Sequence, residues 1–207
     1  SYLLRKSVKT KSRKDRRRVL WDDFLQHLDF LKDTGYVTDS GELTEKGKWT
    51  SQLRVDQPLL IAEGFRRGLL PKREADLLAA IIAAFVNERE SETKFPKKRA
   101  PKVLLGAFDR VVKGLQPFAW QMLKRGFDAR VLHLRPVVAI YAWANGEPWE
   151  KVRILAEMEE GDLVMLILRT ADNLRHIRGL RRAFPQAAQA AHEAIELILR
   201  EPVIYDL

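Results

Sequence analysis

The residues with the clearest chemical pattern lie in "EGDLVMLILRTADNLRHI", Glu160 to Ile177. At roughly 100° per residue this stretch makes about five helical turns. Leu163, Leu166, Ile167, Leu174 and Ile177 fall on one side and supply a core face. Met165, Arg169, Asp172 and His176 fall on the other, spaced i, i+4, i+7 and i+11. A guanidinium, a carboxylate, an imidazole and a thioether along one stripe can grip phosphates, meet base edges and rest against base faces. The same stripe also suits a plain solvated surface. The rest of the chain has to decide between the two.

Most other chemistry is excluded by what the sequence lacks. Without Cys there are no disulfides and no thiolates. No phosphate loop, dinucleotide-binding glycine motif, DExH box or serine elbow is present. His27, His133, His176 and His192 never take an H-x-x-x-H spacing, so no metal site is expected. Glu157, Glu159 and Glu160 sit where a helix begins and fit the macrodipole better than acid–base work. By itself this chain is expected not to be an enzyme and to need no cofactor.

Charge points to a polyanion. The net charge is +9, and residues 1–18 carry nine Lys/Arg against Asp15 alone. Lys94 to Arg135 holds eleven more against Asp109 and Asp128, so the remainder is net acidic. Such lopsidedness fits a polyanion such as a nucleic acid, whose neutralised phosphates release counterions, while a frayed tail explains residues 1–18 equally well and scattered solvent charges explain Lys94–Arg135 better than a groove. No apolar run approaches the roughly 20 residues of a membrane span and no signal peptide opens the chain, so a cytoplasmic protein without a membrane partner is expected. The first residue is Ser, which fits a piece of a longer protein.

The elements that position the stripe read as helices. Leu20, Phe24, Leu28 and Leu31 give a helical rhythm closed by Gly35. Tyr36-Val37 and Glu42-Leu43 around Asp39-Ser40-Gly41 suggest a small hairpin, with Thr44 capping a helix to Leu53. That order matches the end of a winged helix. Helix follows helix from there: one opened by Pro71, one that Pro117 should kink or split, one ending at Gly146, and one opened by Pro148. "SETKFPKKRAPK" is the linker candidate. The expectation is a mainly α bundle with a small β-hairpin near the N-terminus: a basic segment at 1–18, open to being disordered, a winged-helix-like remnant at 19–55 and a helical bundle at 56–207.

Five stretches, taken together, resemble one known region. They are "LKDTGYVTDSGELTEKGK", "QPLLIAEGFRRGLL", "VVAIYAWANGEPWEKV", "EEGDLVMLILRTADNLRHI" and "ILREPVIYDL". In this order they resemble the C-terminal DSHCT domain of superkiller-like and antiviral-type DExH-box helicases. The resemblance covers about residues 20–207, and W-A-x-G followed by E-G-D-L is its most specific part. It implies a parent ATP-dependent helicase whose RecA-like motor domains, absent here, bind ATP and Mg. It also implies that residues 160–178 are a ratchet helix guiding single-stranded nucleic acid, RNA more than DNA. Arg169 and Asp172 take nucleic-acid-facing positions on that likeness, with Met165 and His176 beside them. Many relatives are basic where this chain has Met165 and Leu168. Trp143, Gly146, Glu63 and Gly68 also match and read as structural. Two other readings stand beside this one, a helical protein–protein scaffold and an autonomous winged-helix DNA-binding protein.

Overall fold

The computed structural model describes residues 13–86 and 95–204. Residues 1–12 of the basic segment, 91–94 of the linker candidate and the closing 205–207 lie outside the described residues. The described chain is mainly α-helical. In order it forms α1 (Arg13–Asp33), α2 (Glu45–Thr50), α3 (Pro58–Arg66), α4 (Ala75–Val86), α5 (Lys102–Lys124), α6 (Leu134–Ala144), α7 (Trp149–Ala156), α8 (Glu160–Arg178) and α9 (Pro185–Ile198). None of the described helices is long and apolar enough to cross a membrane.

The centre is α4, "ADLLAAIIAAFV", in which every residue from Leu77 to Val86 is buried. A helix apolar all round must be covered on every side. Helices α6, α8 and α9 do that, while α5 closes over α3 and also touches α4. Trp143 of α6 is a core residue, its indole N–H donating to the Ile198 carbonyl at 2.8 Å while Arg200 stacks on its ring. Gly146, at φ +83°, closes α6 as a left-handed cap, and Gly68, at φ +67°, follows α3 in the same way. All four family-like residues read as structural thus serve the fold, for Glu63 is 2 % exposed and bridges α2 and α3.

Glu63 sits among three cations. It accepts from Arg66 at 2.6 Å and Arg67 at 2.6 Å, and Lys46 lies 3.5 Å away. Burial alone would raise its pKa, but the two arginine hydrogen bonds and the Lys46 charge outweigh that and hold it at about 2. Lys46 also donates to the Thr34 carbonyl and caps the Tyr36 ring. Burial, then the nearby Glu63 charge, pushes the Tyr36 phenol up.

Several expectations change in detail. Where a hairpin was expected, Val37 and Leu43 form one antiparallel bridge, and no strand forms among the described residues. The reason is crowding at both ends. Tyr36 and Val37 donate to Leu31 at the end of α1, and Thr44 already caps α2 through the Gly47 N–H. α2 stops at Thr50 rather than Leu53, its Ser51 cap donating to the Gly47 and Trp49 carbonyls. Pro71 precedes α4 by four residues instead of opening it, and Glu74 provides the first carbonyl. Pro117 neither splits nor ends α5; one turn ahead of it, the Gly114 carbonyl accepts from Arg67. Within the linker candidate, Phe95 and Ala100 pack on the core.

Candidate nucleic-acid interface

Helix α8 spans Glu160 to Arg178, as its periodicity predicts. Glu160 and Asp162 in the first turn, and Arg175, His176 and Arg178 in the last, all match the helix dipole. Glu160 is further fixed by the Trp149 indole N–H at 3.2 Å. Glu157 departs from its expected place: it ends α7 in a left-handed conformation and pairs with buried Arg135 at 2.7 Å. Leu163, Leu166, Ile167, Leu174 and Ile177 are all buried, so the core face stands as read.

The opposite stripe divides into residues of different standing. Met165 is 54 % exposed, an unusual place for a large apolar side chain. Arg169 keeps 35 % of its side-chain surface and donates to the Asp56 carboxylate at 2.8 Å. Asp172 is exposed and lies 3.7 Å from Arg175, not beside Arg169, whose orientation Asp56 sets instead. His176 is half-buried one turn further on. The four share a stripe but do not converge on one point.

Two residues that the sequence pattern did not single out complete the arrangement. Asn173 is buried on α8, and its amide donates to Asp56 at 3.1 Å and to the Arg169 carbonyl at 2.9 Å. Its side-chain oxygen in turn accepts from the Asp56 backbone N–H at 3.1 Å. Asp56 is thereby pinned at both backbone and side chain, and it holds the Arg169 guanidinium at the edge of solvent. A polar Asn on the core side of an amphipathic helix was a signal available in the sequence. Asp56 left none, for it lies 113 residues from Arg169 along the chain.

Four of the cations between Lys97 and Arg135 are paired with carboxylates. Lys97 pairs with Asp109 at 2.9 Å, Arg125 with Asp33 at 2.6 Å, Arg130 with Asp128 at 3.7 Å, and Arg135 with Glu157. A second concentration of charge sits at the end of α8. Arg175, Arg178, Arg181 and Arg182 fall within "RHIRGLRR", and no acidic residue occurs between Asp172 and Glu193.

Against known families, residues 40–206 match the DSHCT (NUC185) domain. This chain belongs to the DSHCT family, the C-terminal domain of superkiller-like helicases. None of the curated proteins matches it. The matched span contains α2 through α9, so the Asp56–Arg169–Asn173 arrangement and the arginine-rich turn both lie within the DSHCT domain. Among the described residues no cluster of His, Asp or Glu is arranged to hold a metal ion.

Proposed function

We propose that this DSHCT domain guides single-stranded nucleic acid, RNA in preference to DNA, along the outward stripe of α8 as the strand leaves the RecA-like motor domains of its parent helicase. ATP and Mg belong to those motor domains in this reading. Residues 19–55 are the winged-helix-like remnant that precedes the bundle. The observation that carries the reading is Arg169: a family-matched cation, part exposed, held in one orientation by Asp56 and Asn173. A preorganised guanidinium loses less freedom on gripping a phosphate or base edge than a loose one does. Met165 adds an exposed, polarizable surface for a base face, while Asp172 and His176 extend the track.

The test separates holding Arg169 from using it. Arg169→Ala and Asp56→Asn both break the ion pair, and each should cost about 1–2 kcal/mol of stability. Only Arg169→Ala removes the cation. A labelled 15-nucleotide oligouridine should bind Arg169→Ala at least tenfold more weakly, since a charge-assisted contact is worth about 1.5–3 kcal/mol. Asp56→Asn, which keeps the cation but frees it, should bind more weakly than wild type and more tightly than Arg169→Ala. The same strand as deoxythymidine should bind less tightly than oligouridine. In the parent helicase, Arg169→Ala should slow unwinding and spare strand-free ATP hydrolysis. Equal binding by wild type and Arg169→Ala would end this reading.

A further inference from the structure

The turn joining α8 to α9 is fixed from beneath and charged above. Gly179 closes α8 with its N–H on the Arg175 and His176 carbonyls. Leu180, buried, donates to Ile177 and accepts from Ala183 and Phe184. Phe184 in turn packs against Phe65 and edge-on to Trp49. Arg178, Arg181 and Arg182 project from this rigid turn, and all three are exposed. Among the described residues no carboxylate lies within ion-pair distance of them. Arg175, Arg178 and Arg181 line one side of a cleft of about 630 Å³, with Gln189 and His192 of α9 on the other. Carboxylates reach three other lining residues: Asp172 lies by Arg175, Glu193 accepts from Gln189 and Glu196 lies by His192.

We infer that this cleft, between the C-terminal half of α8 and the first turns of α9, is a second binding site that takes the sugar–phosphate backbone of the same strand. It rests on the α8 reading above, because Arg178 lies about 14 Å beyond Arg169 along one helix. Dipole compensation explains Arg175 and Arg178 at the end of α8. It does not explain Arg181 and Arg182, which lie past that end. Arginine forks suit phosphodiester oxygens, and Gln189 can donate to a sugar or phosphate oxygen. No large apolar side chain lines the cleft to seat an ordered protein anchor, its lining being arginine, glutamine and histidine with Gly179, Pro185 and Ala188. A polyanion read through its backbone fits it better than an acidic protein.

The experiment uses the 207-residue chain and a labelled 15-nucleotide oligouridine, titrated between about 50 and 200 mM salt. Arg178→Gln/Arg181→Gln should bind about tenfold more weakly at the lower salt. Its slope of log affinity on log salt should fall by about 1.4, at roughly 0.7 for each single-strand phosphate that is no longer neutralised. Its melting temperature should fall by no more than about 2–4 °C, the loss of one charge that compensates the helix dipole. Arg178→Lys/Arg181→Lys should restore the slope, showing that charge at these positions was missing and not the fold. Wild-type affinity and slope in the glutamine variant, with Arg169→Ala still defective, would overturn this site and leave the α8 reading standing. No salt-dependent binding by the wild-type chain would overturn both. Displacement of the strand by polyglutamate of equal length, at or below the concentration of unlabelled strand needed, would overturn it in favour of an acidic protein partner.

Discussion

Glu63 and the α8–α9 turn use the same residue type to opposite ends. At Glu63, two arginines and a lysine converge on one buried carboxylate. At the turn, three arginines stand exposed on a rigid backbone, with no carboxylate among the described residues in reach. The first arrangement is closed: its charges are matched internally and it joins α2 to α3. The second is open, and its charge must be matched from outside. Positive charge in a sequence therefore says little about ligands until its partners are located. Arg135 makes the same point, since it counts toward a basic stretch yet is buried against Glu157.

The contrast breaks first at Glu63. Glu63→Gln leaves three cations around a neutral amide, and breaking a buried pair from one side costs about 3–5 kcal/mol. Chemical denaturation should show that loss directly. Wild type should also weaken in acid. The folded carboxyl titrates at about 2 against an ordinary value of 4.5, so the fold favours its ionised form. Its contribution, up to about 3 kcal/mol, is complete above pH 4.5 and declines as the pH falls from there toward 2. Glu63→Gln should lose that part of the acid dependence. A pH–stability profile unchanged by the substitution would show that the Glu63 charge does not hold α2 to α3.

A slightly smaller effect is expected within α8 itself. Ile167 is fully buried on the core face, and Ile167→Ala should cost about 2–5 kcal/mol. The fraction that stays folded should bind the strand like wild type. Arg169→Ala should show the reverse ordering, a larger binding defect than stability defect. If both variants lose binding only in proportion to their unfolding, the two faces of α8 are not functionally distinct.

How much of the molecule is legible in its sequence depends on how local each cause is. The two faces of α8, the Thr44 cap and the buried Trp143 follow from patterns within a few residues, and all three are readable there. Asp56 is not, because its role is created by a hydrogen bond to Asn173 across the bundle. The hairpin is reduced to one antiparallel bridge for a related reason: its pairing residues are recognisable, but α1 and α2 claim the backbone on either side. The arginines of the α8–α9 turn are visible as a run. Two longer stretches with more charge overshadow them, and only the fold shows that four cations of the second stretch are already paired.

The smallest effect should come from Asp172, and it bears on the middle of the track. Asp172 is exposed, and its Arg175 partner is 3.7 Å away, so Asp172→Ala should change stability by less than about 0.5 kcal/mol. Its effect on binding distinguishes two roles. If Asp172 serves only to neutralise Arg175, its removal should tighten binding to any strand, with or without bases. If it accepts a hydrogen bond from a base, Asp172→Ala should weaken binding to a guanine- or cytosine-containing strand by about tenfold, the value of roughly one such bond. That weakening should vanish on an abasic strand of equal length, where Arg169 and the arginine turn still meet phosphates. The second outcome is expected, because Asp172 lies between Met165 and His176 on the stripe where base faces and edges would pass. Tighter binding to both strands would instead place Asp172 with Glu63, among the carboxylates that restrain a cation.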